Sequence, residues 1–181
     1  MISKMNRRTA IRNVVLISAG AAFLQSCQDK ATIALKHIPV TGSEQDLLNE
    51  LTEAIIPTTD FPGAKDLNTG DYVFMMADDC ISPEEQQKFI TGMKDFEQAS
   101  KSKMGSGFVK LSKEKKSEFL TMIEADKEGK EFGENAQGFY GGVKNATIEF
   151  FTTSEQYMKE VRKVTSLIPS KFQGCVPVTN A

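Results

Sequence analysis

Ser43-Glu44-Gln45-Asp46-Leu47-Leu48-Asn49-Glu50-Leu51-Thr52-Glu53-Ala54-Ile55-Ile56-Pro57 is the stretch whose reading decides the fold. Ser43 with Asp46 three residues later has the form of a capping box, in which a side-chain oxygen and a later acid satisfy the first free N–H groups of a helix. Leu47, Leu48, Leu51, Ala54 and Ile55 then recur at helical spacing, which places them on one face. Pro57 has no N–H to offer and stops the run. A helix with one apolar stripe must bury it against another element, and the chain downstream supplies more helices.

After a turn-rich loop over residues 58–70, residues 71–80 read as a short helix showing Tyr72, Val73 and Met76 to a core. Ser82-Pro83-Glu84-Glu85 is a strong helix start: a capping serine, a proline in the first turn and acids facing the helix dipole. Phe89, Ile90, Met93 and Phe96 form its apolar face. Gly105 and Gly107 end it, and residues 108–111 are expected to be a short extended piece. Ser112 caps another helix, with Phe119, Leu120 and Ile123 inward and Lys113, Lys115 and Lys116 in solvent. Residues 128–134 form a polar, glycine-broken loop.

A long helix over about residues 136–151 carries Phe139, Tyr140, Val143, Ile148, Phe150 and Phe151. Gly141-Gly142 in its middle costs about 1 kcal/mol per glycine relative to alanine, and close packing against a neighbouring helix is the expected reason. Ser154-Glu155 opens a further helical stretch through Tyr157, Val161 and Val164. Pro169, Gly174 and Pro177 then force an extended tail. The fold class is therefore mainly α: a single compact helical domain of about five helices over residues 43–181, with an extended C-terminal tail.

Upstream, residues 28–42 show no amphipathic period and contain Pro39 and Gly42, so residues 27–42 read as a tether. Before it, Asn6-Arg7-Arg8-Thr9-Ala10-Ile11-Arg12 precedes an apolar run over residues 14–24 and Leu24-Gln25-Ser26-Cys27. A paired arginine, a mildly apolar run and a small residue before a cysteine make a twin-arginine-type lipoprotein signal peptide over residues 1–26. The run is about half of the roughly 20 residues needed to span a bilayer, so a transmembrane anchor is the poorer reading. Cleavage would leave Cys27 as the acylated terminus, holding the domain on the periplasmic side of a bacterial membrane. A plain signal peptide cut elsewhere is the alternative.

The chain of 181 residues has a formal net charge of −2. Lys4, Arg7, Arg8 and Arg12 all lie in the signal, so the remainder carries about −6, which argues against nucleic acid as a partner. Setting Cys27 aside leaves Cys80 and Cys175. In an exported protein such a pair is more often a disulfide than two thiols, and two buried thiols are the alternative. His37 is the single histidine, so no zinc or haem ligand set can be built on imidazole. No phosphate-binding glycine pattern or nucleophile elbow is present. Asp78-Asp79 and Glu84-Glu85 read as helix-terminus acids. Nothing in these residues makes an enzyme or assigns a catalytic, cofactor-binding or metal-binding residue.

Three separated stretches carry a family resemblance. The first is Leu51-Thr52-Glu53-Ala54-Ile55-Ile56-Pro57 running into Thr59-Asp60-Phe61-Pro62-Gly63-Ala64-Lys65-Asp66. The second is the helix start at Ser82. The third is Phe150-Phe151-Thr152-Thr153-Ser154-Glu155 followed by Ile168-Pro169-Ser170-Lys171-Phe172-Gln173-Gly174-Cys175-Val176-Pro177. Together they resemble the gluconate 2-dehydrogenase subunit 3 family, the small subunits of membrane-bound flavin-dependent sugar and sugar-acid dehydrogenases. The resemblance covers about residues 43–178.

The resemblance implies a non-catalytic small subunit without a redox centre. FAD is expected in a large flavoprotein partner of the glucose–methanol–choline class, which oxidises a sugar, sugar acid or polyol; a cytochrome c subunit often passes the electrons on. The small subunit would escort the flavoprotein through twin-arginine export and hold it at the membrane. Thr59, Asp60, Pro62, Gly63, Phe151, Thr153, Ser154, Glu155, Phe172 and Gly174 are the candidate contacts with that partner. The lysine-rich middle, residues 101–116, matches no motif of the family. A free-standing periplasmic lipoprotein that binds a ligand or another protein is the alternative function.

Overall fold

A computed structural model describes residues 30–126 and 128–164. Arg7 and Arg8, the lipidation residue Cys27, and Phe172, Gly174 and Cys175 of the tail lie outside the described residues. Among the described residues there are six helices and no strand: α1 Gly42–Ile55, α2 Thr69–Asp79, α3 Pro83–Met104, α4 Lys113–Ala125, α5 Glu134–Thr153 and α6 Glu155–Glu160. Single 3-10 turns at Lys65–Leu67 and Phe108–Lys110 join them.

Helix α1 begins before the expected Ser43 cap. Thr41 caps it: Glu44 N–H donates to Thr41 Oγ1 at 3.3 Å, and Thr41 N–H donates to Glu44 Oε2 at 2.9 Å. Thr-x-x-Glu is the better box because glutamate reaches back to the cap nitrogen. Leu47, Leu48 and Leu51 are buried as their spacing predicts. At the other end Ile56 N–H still reaches Thr52 O at 3.0 Å before Pro57 closes the helix.

Ser82 caps α3 in a reciprocal pair with Glu85, and Gly105 ends it at φ 76°, a left-handed conformation that favours glycine. Helices α3 and α5 lie along each other. They come close at Gly92, where an added Cβ would sit 2.5 Å from Asn135 O and 2.7 Å from Phe139 Cβ. The glycines expected to serve this purpose do not. Gly141 and Gly142 face open space, with no described atom within 4 Å of an added Cβ, as does Gly138.

Phe96 stands at the centre of the core, fully buried, with Phe108 and Phe119 at 5.2 Å between ring centroids and Phe139 at 5.6 Å. The rings meet at 56–78°, the tilted and edge-on arrangements that aromatic quadrupoles favour. Phe108 reaches this cluster from a 3-10 turn, where extended chain is expected from the sequence. No second strand is present among the described residues to pair with it, and Glu97 Oε2 instead accepts the Phe108 N–H at 3.1 Å.

Two carboxylates organise the chain between helices. Asp78, buried at the end of α2, accepts the N–H groups of Lys36, His37 and Ile38, each at 2.8 Å. Burial works against its charge, but the three donors outweigh that and hold its pKa below the ordinary carboxylate range. Asp126 does the same for Lys130, Glu131 and Phe132 at 2.8–3.0 Å, and its pKa is lowered for the same reasons. Residues 30–41, expected as a tether, therefore lie against the helices. Ile38 is 2% exposed, and the Gln45 side chain joins Thr32 to Asp71.

Candidate partner interface

The loop between α1 and α2 is built from its carboxylates inward. Glu53 Oε1 accepts Thr58 N–H at 2.8 Å, and Asp66 Oδ2 accepts both Thr58 Oγ1–H and Gly63 N–H at 2.9 Å. Ala64 N–H bonds Ile56 O at 2.9 Å, closing the loop onto the end of α1. A Cβ on Gly63 would lie 2.4 Å from Thr58 N, so only glycine lets these two backbones approach. Thr59, Asp60 and Phe61 project as a tip held by the Thr59 N–H bond to Phe61 O at 2.9 Å. Thr59 and Asp60 are exposed, Pro62 is half-buried, and Gly63 is buried.

Glu50 braces the loop from below. Its carboxylate meets Lys65 Nζ and Lys116 Nζ, each at 2.6 Å, joining α1, the loop and α4. Burial opposes the charge of Glu50, but both lysines outweigh it and lower its pKa. The hydrogen bond to Glu50 raises the pKa of Lys65 in return. Lys116, 11% exposed, is the more enclosed of the two cations.

The other half of the site is the end of α5. Phe151 points inward at 9% exposure, whereas Phe150 points to α2 and stacks on Tyr72 with ring centroids 4.1 Å apart and planes at 22°. Consecutive helical residues are about 100° apart, so both cannot face one core. Thr152 and Thr153 turn their hydroxyls onto carbonyls one turn back at 2.7 Å. Ser154 caps α6 by accepting Tyr157 N–H at 3.2 Å, and Glu155 is exposed.

Leu67, the last residue of the loop's 3-10 turn, brings the halves together. With Phe150 it lines two adjoining open grooves. One, of about 450 Å³, runs beside Ile33, Tyr72 and Met75. The other, of about 440 Å³, runs beside Ser154, Glu155 and Lys159. Met75, 46% exposed, and Met76, 38% exposed, extend the apolar surface along α2. Beyond them Cys80, also exposed, lies with its Sγ 3.8 Å from Met76 Sδ. Of the residues expected to contact a partner, Ser154 and Glu155 line the second groove, Thr59, Asp60, Pro62 and Gly63 belong to the loop, Phe151 is buried and Thr153 is exposed. Leu67, Tyr72, Met75 and Phe150, which line the grooves, are not among the contacts expected from the sequence. The available signals were the adjacent pairs Phe150-Phe151 and Met75-Met76, which overfill a single helical stripe.

Elsewhere, Tyr140 donates its hydroxyl to Glu124, which also pairs with Lys144 at 2.5 Å. Lys144 and then Tyr140 hold the Glu124 pKa down, while burial and that carboxylate push the Tyr140 phenol far above its usual value. This cluster is a closed, satisfied network rather than a poised acid–base pair. Among the described residues no group of three or more His, Cys, Asp or Glu is placed to hold a metal ion. Nor is any described helix long and apolar enough to cross a membrane.

No curated protein matches the chain, and no solved structure does. A family profile described as Gluconate 2-dehydrogenase subunit 3 matches residues 42–169. It starts at the first residue of α1 and spans the loop tip, the Tyr72–Phe150 stack and α6. The chain belongs to the gluconate 2-dehydrogenase subunit 3 family.

Proposed function

We propose that this chain is the non-catalytic small subunit of a membrane-associated, FAD-dependent sugar, sugar-acid or polyol dehydrogenase. The family is that of an accessory subunit of a dehydrogenase complex. The observation that supports the finer reading is the open groove that Leu67, the residue after the first family-like stretch, forms with Phe150, Ser154 and Glu155 of the third. An apolar groove edged by polar groups suits a large folded partner. The flavoprotein is that partner, and its FAD carries the chemistry.

The export signal extends this reading. Arg7 and Arg8 direct the chain, with its folded partner, through the twin-arginine route, and an acylated Cys27 holds both on the periplasmic side of the membrane. The test is purification of the tagged chain from its native host. A tagged small subunit should co-purify with a yellow, FAD-containing chain, and Leu67→Glu should abolish that. Changing Arg7 and Arg8 together to Lys should trap both chains in the cytoplasm. A small subunit that purifies without any flavoprotein, or a partner still exported in the double-lysine variant, overturns the reading.

A further inference from the structure

The groove beside Tyr72 and Met75 does not end at the Tyr72–Phe150 stack. Tyr72, Met76 and Cys80 succeed one another at four-residue intervals along α2, so they form a single ridge. The described chain comes to an end close by. Val164 N–H bonds Met158 O at 2.9 Å, returning the chain over α6, which flanks the same Phe150. Beyond Val164 the sequence continues with Leu167, Ile168, Phe172, Cys175 and Val176, apolar residues carried on a stretch broken by Pro169 and Gly174.

We infer that the ridge is the seat of this chain's own C-terminal segment, fixed there by a disulfide between Cys80 and Cys175. The lengths agree. Tyr72 to Cys80 covers about 12 Å of helix, and the 11 residues from Val164 to Cys175 can extend over roughly 36 Å. Residues 165–174 can therefore run from the end of α6, past Phe150 and along Met76, before Cys175 reaches Cys80. Phe172, three residues ahead of Cys175, falls beside Met76 and Tyr72. The occupant has the right chemistry for methionines and an aromatic stack, because thioethers and rings pack well together. Once seated, it leaves Thr59, Asp60 and Glu155 exposed, so the flavoprotein meets a composite surface of loop tip, α6 and tail.

The covalent step is thiol–disulfide exchange with a disulfide-bearing protein oxidant of the periplasm. The thiolate of one cysteine attacks the oxidant's disulfide, and the second thiolate resolves the mixed disulfide. The Cys80–Cys175 bond forms, and the oxidant's disulfide leaves as two thiols carrying the two electrons and two protons. The inference rests on the export reading, since the cytosol would keep both thiols reduced. It does not need the flavoprotein.

The experiment therefore uses the full mature chain alone, purified after export and digested without reductant. A linked peptide pair containing Cys80 and Cys175 is expected. Two alkylatable thiols, or a dimer bridged through Cys80, overturn the inference. The second measurement reads the groove itself. Hydrogen peroxide should oxidise Met75 and Met76 about threefold faster in the Phe172→Ser, Cys175→Ser variant than in the unaltered chain, because exposure governs the reaction. Met93, buried in the core, serves as the internal standard for a folded protein. Equal rates at Met75 and Met76 in the two proteins also overturn the seat. Failure of flavoprotein co-purification touches neither readout.

Discussion

The molecule holds two aromatic groupings of opposite kind. Around Phe96, rings from α3, α4, α5 and the turn at Phe108 close on one another at 5.2–5.6 Å and exclude solvent. Around Phe150, one ring from α5 stacks on one from α2 at 4.1 Å, and the grooves on either side stay open. The residues are the same in type. They differ in whether the described chain supplies the fourth wall. The first grouping holds the domain together; the second ties α5 to α2 and borders open grooves, the setting that the proposed docking surface requires.

The largest expected effect breaks the first grouping. Phe96→Ala removes a fully buried ring from a site walled by other rings, and should cost about 3–5 kcal/mol in urea denaturation. Next is the brace between the two groupings. Glu50→Gln leaves Lys116 enclosed without its anion and should cost about 2 kcal/mol at pH 7. The lowered pKa of Glu50 fixes how this depends on pH. In the unfolded chain the group titrates near 4.5, so on acidification the unfolded state takes up the proton first. The contribution of Glu50 is complete above that pH and fades as pH falls through the lower folded value. Wild type and Glu50→Gln should therefore begin to converge as pH falls below 4.5 and coincide below the folded value. A gap that persists there would assign the loss to packing instead.

Phe150→Ser sharpens the contrast. In the isolated chain it should cost only about 1 kcal/mol, since the stack is partly exposed, while binding of the flavoprotein should weaken by about tenfold or more. A loss as large as that for Phe96→Ala would show that the two groupings are one core. The smallest effect has the opposite sign. Gly142→Ala adds a methyl where no described atom lies within 4 Å, and should stabilise the isolated chain by about 1 kcal/mol. If it stabilises the free chain yet weakens the complex, the bare face of α5 belongs to the interface as well.

The closed grouping was legible in the sequence because its members repeat at helical spacing: Leu47, Leu48 and Leu51, Met93 and Phe96, Phe119 and Ile123, Phe139 and Val143. The helix starts at Ser82 and Ser112 were legible for a local reason, since a cap and its donor lie within a few residues. What was not legible depended on partners far along the chain. Asp78 and Asp79 look like any acidic pair, and only the fold brings residues 36–38 to Asp78. Gly92 sits in an ordinary helical sequence, and nothing local says that Asn135 and Phe139 will press on it, whereas the conspicuous Gly141-Gly142 pair touches nothing there. For the grooves, the third family-like stretch supplies Phe150, Ser154 and Glu155. The rest of their lining was hidden because Leu67, Tyr72 and Met75 read equally well as core.

The three N–H groups converging on Asp78 also have a mechanical meaning. Tension entering the domain at Lys30 is divided between α1, which holds Gln45, and α2. It meets the Thr32–Gln45 bonds and then the Lys36–His37–Ile38 turn held by Asp78, so the rest of the load passes into α2, the helix that carries Tyr72, Met75 and Cys80. The three bonds share one acceptor and must yield nearly together, as a bolt does, rather than one at a time. A domain pulled from its N-terminal side is thus gripped at two helices, one of them the element that lines the apolar groove.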